Sequence, residues 1–108
     1  MKYTIIKTDT FDEWLNGLPD WRARVAIGAR LDRVADGNLG DYKKFDGFIE
    51  LRIFHGPGYR VYGAIRKKYI LLVLLGGDKG SQKRDIARAK KMLDEEITQE
   101  ENDESNTI

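Results

Sequence analysis

The chain has 108 residues, which is the length of one compact domain. It contains no cysteine and a single histidine, so disulfide bonds, thiolate catalysis and cysteine-built metal sites are excluded and a histidine-built metal site is disfavoured. The longest apolar run, Tyr69 to Leu75, is too short to span a bilayer, and the first residues lack the apolar segment of a signal peptide. We therefore predict a cytoplasmic domain that uses no metal ion or cofactor and does not enter a membrane.

Charge is distributed unevenly along the chain. Residues 43–91 carry 13 basic and 4 acidic side chains, whereas residues 92–108 carry 7 acidic side chains and no basic one. This asymmetry predicts a surface that binds a polyanion, followed by a solvated acidic segment. We accordingly predict a folded domain over residues 1–98 and a disordered acidic tail over residues 99–108. The alternative is that the lysines and arginines only solvate exposed faces.

The first third of the sequence predicts a strand and two helices. Residues 2–7 are rich in Tyr, Thr and Ile, as strands are. Thr10 and Glu13 have the spacing of a capping box, which predicts a short helix that runs to about Leu18. Pro19 suits the first position of a second helix. Together the two helices form a predicted helical hairpin.

The remainder predicts three strands and a last helix. Residues 38–47 contain two glycines and two lysines and are typical of a loop. Apolar residues alternate along 48–54 and 59–66, and residues 69–75 are apolar throughout, as in a strand covered on both faces. Ser81 can cap the last helix. The order β-α-α-β-β-β-α predicts an α+β domain, with the helical hairpin and the C-terminal helix packed against one face of a mostly antiparallel sheet.

Four polar side chains fall on the predicted open face of this sheet, namely Glu50, Arg52, Arg60 and Tyr62. If the two alternating strands pair, Arg52, Arg60 and Tyr62 lie close together. Two guanidinium groups can bind a phosphate bidentately, and a phenol can donate a hydrogen bond or stack on a base. The alternative is an ordinary surface salt bridge between Glu50 and either arginine.

Other residues are weaker candidates for chemistry. The loop over residues 76–81 could offer backbone N–H groups and Lys79 to a phosphate, although it lacks the spacing of a P-loop and could be a simple turn. His55, the single histidine, lies at a predicted hairpin tip, where it could act as an acid or base or be merely solvated. Basic residues expected to steer an anionic partner are Lys43, Lys44, Lys67, Lys68, Lys83, Arg84 and Arg88.

Several segments carry a resemblance to a known family: E-L-R-I over 50–53, G-P-G-Y-R-V-Y over 56–62, L-L-G-G-D-K over 74–79, and Gln82, Asp85, Ile86 and Ala89. Over about residues 2–95 the sequence resembles the RelE/ParE toxin superfamily, and most closely its HigB-like branch of phage-derived addiction module killer proteins. The resemblance implies the toxin of a type II toxin–antitoxin pair. In that superfamily RelE-like members cleave mRNA, usually in the ribosomal A site, whereas ParE-like members poison DNA gyrase.

The resemblance implies roles for individual residues in a metal-independent mRNA interferase, a hydrolase-type endoribonuclease that inhibits translation. Arg60 would contact the scissile phosphate, and Arg52 and Lys79 would share its charge. Tyr62 would orient the RNA or stack on a base. RelE itself has a catalytic tyrosine on its last helix, where this sequence has Ile86, and this difference gives Tyr62 or His55 more weight. The general base remains open among His55, Glu50 and Asp78.

The resemblance also implies partners. These are the ribosome, mRNA and a cognate antitoxin, expected to be a small helix-turn-helix protein. A ParE-like inhibitor of gyrase without chemistry of its own is the main alternative function. A further alternative is a module that binds RNA or a protein partner and has no activity.

Overall fold

The computed structural model describes the backbone of residues 2–105 and the side chains of residues 2–96. This part of the chain forms five strands and three helices, so the predicted α+β class is confirmed. In chain order the elements are β1 (Thr4–Lys7), α1 (Asp9–Asn16), α2 (Trp21–Ala35), β2 (Tyr42–Lys44), β3 (Ile49–Ile53), β4 (Tyr59–Arg66), β5 (Ile70–Gly77) and α3 (Gln82–Ser105), with a single 3-10 turn over Lys79–Ser81.

The strands form one mixed sheet in the order β1-β5-β4-β3-β2. β1 runs parallel to β5, and the other neighbouring strands are antiparallel. The sequence prediction missed β2, which lies inside the predicted loop over residues 38–47. β2 has only three residues and pairs with β3 alone. Because all three residues are exposed, the segment shows no alternation of apolar and polar residues that would predict a strand.

Both helices of the hairpin begin at a different residue from the one predicted. Thr8, not Thr10, caps α1: its hydroxyl oxygen accepts the N–H of Phe11 at 3.1 Å and donates to the carbonyl of Leu74 at 2.7 Å. The second helix begins at Trp21, not at Pro19: the Asp20 side chain caps α2 and accepts the N–H of Arg22 at 3.0 Å. In each case the cap is a side chain with a free oxygen acceptor, which satisfies an N–H group at the helix start.

Different helices cover the two faces of the sheet. On one face α1 and α2 pack on alternate residues of β3, β4 and β5, and the buried apolar residues are Phe11, Ala23, Ile27, Leu31, Val34, Ile49, Leu51, Ile53, Tyr59, Val61, Leu71 and Val73. On the other face α3 packs on the sheet, and the buried residues are Phe48, Tyr62, Ala64, Leu74, Leu75, Ala89 and Leu93.

The prediction that all helices pack on one face is therefore wrong. The alternation predicted for the hairpin strands is confirmed, because Leu51 and Val61 lie on one side of the sheet and Tyr62 on the other. The middle of the sheet is apolar on both sides, as Val73 and Leu74 of β5 show. Burying that second apolar face requires another layer, and α3 supplies it.

Two adjacent glycines at the end of β5 permit close packing from both sides. A Cβ atom on Gly76 would lie 2.3 Å from the ring of Trp14 in α1. A Cβ atom on Gly77 would lie 1.9 Å from a carboxylate oxygen of Asp85 in α3. These glycines are buried strand residues, so the predicted glycine-rich loop is shorter than expected and begins only at Asp78.

The α3 helix extends into the range for which we predicted a disordered acidic tail. Its backbone is helical to Ser105, and glutamate and glutamine, which are frequent here, are good helix formers. The rest of the predicted tail, residues 106–108, lies outside the described residues. Among the helices that the structure describes, none is long and apolar enough to cross a membrane.

The turn between β4 and β5 holds two non-glycine residues in the left-handed region, Lys67 with φ of 50° and Lys68 with φ of 69°. Each left-handed L-residue costs about 1–2 kcal/mol. We expect the double variant Lys67→Asn, Lys68→Gly to raise the free energy of unfolding by about 1 kcal/mol, because Asn-Gly favours this turn. Urea denaturation measures the change. The matched control, Lys67→Gln with Lys68→Gln, removes the same charges without relieving the backbone, and equal stabilisation of the control would contradict the explanation.

Candidate functional site

A buried carboxylate lies at the centre of the candidate site. Glu50 of β3 is fully buried. Its Oε2 accepts hydrogen bonds from the Tyr62 hydroxyl at 2.9 Å and from Nε2 of Gln82 at 2.9 Å. Its Oε1 accepts a hydrogen bond from Nε of Arg52 at 3.3 Å and lies 3.6 Å from Nε of Arg60. One carboxylate therefore connects two strands and the start of α3.

The strand register brings these side chains together. In the β3–β4 pair Glu50 lies opposite Tyr62, and Arg52 lies opposite Arg60. Residues two apart on a strand share a face, so all four side chains project from the same side of the sheet. Gln82, the first residue of α3, reaches this face from above. The pairing that the sequence predicted for Arg52, Arg60 and Tyr62 is confirmed.

The environment keeps the two central groups in fixed protonation states. Burial by itself would raise the pKa of Glu50, but hydrogen bonds from Gln82, Tyr62 and Arg52 and the charge of Arg60 outweigh it, so the pKa lies below its usual value. Burial, followed by the hydrogen bond to Glu50 and its charge, raises the pKa of Tyr62 well above its usual value. At neutral pH Glu50 is an anion and Tyr62 is a neutral phenol.

The prediction that this face is open is wrong for its two central residues. Glu50 and Tyr62 each have zero exposure, because the apolar face of α3 covers them. The Tyr62 ring packs edge-to-face on Phe48 with centroids 6.4 Å apart. A fully enclosed ring cannot stack on a base, so Tyr62 positions Glu50 instead of contacting RNA.

Three cationic side chains remain accessible around the buried carboxylate. The side chain of Arg52 is 36% exposed and that of Arg60 is 14% exposed, while Lys79 is exposed at the 3-10 turn. Nη1 of Arg60 also donates to the carbonyl of Gly58 at 2.9 Å. A Cβ atom built on Gly58 would lie 3.5 Å from that Nη1 and 3.6 Å from Cβ of Lys79, so Lys79 stands beside Arg60. We call Arg52, Arg60 and Lys79 the cation cluster; its chemistry suits a phosphate or another oxyanion.

His55 does not join the cation cluster. Its Nε2 lies 3.2 Å from Oδ2 of Asp20, the cap of α2, and its ring stacks on Tyr59 with centroids 6.4 Å apart. Both partners belong to the side of the sheet covered by α1 and α2. The hydrogen bond from His55 is the main cause that lowers the pKa of Asp20. A role for His55 as the base at Arg60 therefore does not fit this geometry.

Asp78 is engaged as a helix cap. Its side chain accepts the N–H of Ser81 at 3.1 Å, and the Ser81 hydroxyl accepts the N–H of Asp78 at 3.2 Å, which makes a reciprocal capping box. Ser81 thus caps the 3-10 turn together with Asp78 and does not act alone at the start of α3. The predicted phosphate-binding loop over residues 76–81 is not formed as such, since Gly76 and Gly77 belong to β5 and pack against side chains. Lys79 is the one cationic side chain of this segment, and it is exposed.

The basic residues predicted to steer RNA are all exposed, but they occupy three separate places. Lys43 and Lys44 lie on the edge strand β2. Lys67 and Lys68 lie beyond the far end of β4, about 20 Å along the strand from Arg60. Lys83 and Arg84 lie at the start of α3, close in the chain to Lys79, and extend the positive surface of the cluster.

Sequence reasoning named Gln82 only among the residues that carry the family resemblance, gave it no role at the site, and did not place Glu50 at its centre. Gln82 follows a turn, where no periodicity marks a side chain as functional. The burial of Glu50 had a detectable signal: α3 has an apolar face with Ala89 and Leu93, and a helix with such a face must cover something. Within residues 2–96 no three acidic or histidine side chains come close enough together to hold a metal ion.

Comparison with known proteins gives one informative relative. No family model matches the chain. A protein of Haemophilus influenzae strain Rd, described as uncharacterized, is 45% identical over 96 residues, which cover 88% of this chain and 97% of that protein. The chain belongs to the family of that protein. Identity over nearly the whole of both chains means that the two share the fold, and the description of this relative names no activity.

The lowered pKa of Glu50 predicts a pH dependence of stability. A carboxyl with a depressed folded-state pKa stabilises the fold above its unfolded-state value of 4.5, and this contribution is lost as the pH falls through the lower folded-state value. We expect Glu50→Gln to lower the free energy of unfolding at pH 7 by about 3 kcal/mol. The deficit of the variant should shrink between pH 5 and pH 3, as measured by urea denaturation at each pH. A deficit independent of pH would show that the charge of Glu50 contributes nothing.

Tyr62→Phe tests the hydrogen bond separately from the packing. The ring stays in place, whereas Glu50 loses one donor on its buried Oε2. We expect the free energy of unfolding to fall by about 1.5–3 kcal/mol, the usual contribution of a hydrogen bond to a charged group, while Oε2 keeps its bond from Gln82. Tyr59→Phe is a suitable control, because Tyr59 lies on the opposite face and does not touch Glu50. Equal losses in the two variants would argue against a specific role for the Tyr62 hydroxyl.

Proposed function

We propose that this chain is the toxin of a type II toxin–antitoxin pair, of the HigB-like branch of the RelE/ParE superfamily, and that it is a ribosome-dependent endoribonuclease. The observation that carries the proposal is the cation cluster at the end of the β3–β4 hairpin, whose two arginines are held by buried Glu50. The segments that carry the family resemblance supply each of these residues. Action on translated mRNA would take place in the cytoplasm.

In the proposed reaction the RNA 2′-hydroxyl attacks the adjacent phosphorus. The O2′–P bond forms and the P–O5′ bond breaks; the 2′-hydroxyl gives its proton to water and the leaving O5′ takes a proton from water, so that the products are a 2′,3′-cyclic phosphate and a 5′-hydroxyl. The phosphorane-like transition state carries more negative charge than the phosphodiester. Arg60 and Arg52 can stabilise this charge by hydrogen bonds, and Lys79 by its point charge, without a metal ion.

Rigidity of the arginines is what makes such stabilisation effective. Arg60 is fixed between the Glu50 carboxylate and the Gly58 carbonyl, so little reorganisation is needed when charge develops. Glu50 and Tyr62 are both fully buried, so neither can reach the substrate to exchange a proton with it. The proposed mechanism therefore relies on charge stabilisation by the cluster, with Glu50 and Tyr62 as positioning residues.

Inducing the protein in cells and mapping RNA 5′ ends tests the proposal. We expect new ends within translated frames for the native protein. Arg60→Ala should reduce cleavage about 10²–10³-fold, by analogy with the loss of one oxyanion-hole donor. Lys79→Ala should also reduce cleavage and has the advantage that Lys79 is exposed and does not touch Glu50. Lys67→Gln with Lys68→Gln is the control for loss of positive charge outside the cluster.

The thermal unfolding of each purified variant distinguishes a lost active site from a lost fold. If Lys79→Ala and Arg60→Ala melt as folded proteins and still cleave RNA at the native rate, the cluster is not the active site. If the native protein produces no new RNA ends, it is not a ribonuclease of this kind.

One observation favours a second candidate, the ParE-like inhibitor of DNA gyrase. The cation cluster contains no described group that is both accessible and able to exchange a proton near neutrality. An inhibitor that only binds its target would not need such a group. For this candidate we expect growth arrest with gyrase–DNA adducts and without new RNA ends. Measuring both readouts in the same induced culture separates the two functions.

We also propose a cognate antitoxin as partner, a small helix-turn-helix protein that binds the basic surface or the helical hairpin. Positive residues of the cluster and of the start of α3 would attract acidic side chains of that partner. Covering the cluster would block access to RNA.

A further inference from the structure

A cleft away from the cation cluster lies between α2 and the end of β3. Its volume is about 330 Å³, near the lower end of the range for small-molecule sites. Its charged lining residues are Arg30 and Arg33 of α2, Asp41 of the loop before β2, and Arg52. Three positive charges against one negative make the cleft attractive to anions.

Arg30 is a buried cation that forms no direct ion pair with a described carboxylate, although the charge of Asp41 acts on it. The residue is 4% exposed, and among residues 2–96 no carboxylate forms an ion pair with it. Its Nε donates to the carbonyl of Arg52 at 3.1 Å, and its Nη2 donates to the carbonyls of Leu39 and Asp41 at 2.5 and 2.9 Å. Its Nη1 is buried and has no partner. A buried charge is costly unless an opposite charge offsets it, which points to an anion from outside the chain.

Burial, and next the positive charge of Arg33, lowers the pKa of Arg30. Repulsion between the Arg30 and Arg33 side chains destabilises the free protein. An anion bound between the two guanidinium groups would offset this repulsion. The Arg30 fork is already oriented by three backbone carbonyls, so little side-chain entropy remains to be lost on binding.

An exposed aromatic ring stands beside these cations. Phe54, just after β3, also lines the cleft and is 86% exposed, the most exposed large apolar residue in the described part of the chain. Its neighbours in the lining, Ala26, Ala29 and Ile53, are apolar. Adjacent guanidinium groups and an accessible aromatic ring are the combination that binds the phosphate and the base of a nucleotide. An isolated phosphate or carboxylate would leave Phe54 uncovered.

We propose that this cleft is a nucleotide-binding site, with the phosphate directed to Arg30 and Arg33 and the base stacked on Phe54. The site goes beyond the proposed function, because it does not include Arg60 or Lys79 and does not require RNA cleavage. Arg52 is the residue shared with the cation cluster: its side chain bonds Glu50, and its carbonyl accepts from Arg30.

Titration calorimetry of the full chain with AMP, at low ionic strength, tests the proposal. Arg33→Gln and Phe54→Ala change exposed residues and leave the Arg30 hydrogen bonds intact, so both variants should fold. We expect each to weaken AMP binding about tenfold, the effect of losing one phosphate contact or one stacked base. Arg22→Gln is the matched control, because Arg22 is an exposed arginine of the same helix that lies outside the cleft, and we expect its AMP affinity to equal that of the native protein.

Inorganic phosphate and acetate serve as comparison probes. Tighter binding of AMP than of either probe, with the pattern of variants given above, supports the nucleotide site. The proposal is overturned if AMP does not bind, if Arg22→Gln weakens binding as much as Arg33→Gln, or if phosphate or acetate binds as tightly as AMP and Phe54→Ala has no effect. These results are independent of RNA cleavage: a failure of AMP binding leaves the 5′-end assay unaffected, and an absence of new RNA ends leaves the AMP measurement unaffected.

Discussion

A buried negative charge governs the architecture of this protein. Glu50 would be strongly unfavourable in the interior without compensation, and its compensation comes from four side chains on three elements. Because β3, β4 and the start of α3 must all be in place for the carboxylate to be satisfied, its burial couples the hairpin register to the position of the helix. A one-residue slip of the hairpin would turn the donors to the opposite face and leave the charge unpaired.

The same carboxylate gives the cation cluster its particular character. Arg52 and Arg60 lie opposite each other on neighbouring strands, where their positive charges repel. The Glu50 carboxylate interacts with both and allows both to stay in one place. The cluster still has three positive charges against one negative, so it attracts an oxyanion from solution. Exposure increases from Arg60 through Arg52 to Lys79, which gives one rigid contact and two more adaptable ones. The cluster therefore combines a fixed arrangement of positive charges with access for a ligand from solvent.

Prediction of the strands from the sequence succeeded where apolar and polar side chains alternated regularly. Alternation over 48–54 and 59–66 predicted the two hairpin strands and the side chains that share a face, and the register in the structure places Arg52 opposite Arg60. Prediction failed where the decisive contact was long-range. The position of α3 depends on which face of the sheet lacks cover, and the enclosure of Tyr62 follows from that position. The short strand β2 exists only through its pairing with β3, which no local pattern of Tyr42–Lys44 could reveal.

The glycine pair at the end of β5 has a mechanical consequence. Gly76 and Gly77 are contacted by Trp14 from one layer and by Asp85 from the other, so only two backbone residues separate the helices on opposite sides of the sheet. A side chain at either position would separate the helix from the strand, and its movement could accommodate small displacements of the helix. In its absence a shift of α1 is transmitted through the strand to the first turn of α3, from which Gln82 reaches the Glu50 carboxylate. The positions of α1 and α3 are therefore coupled through the backbone of β5 at this point.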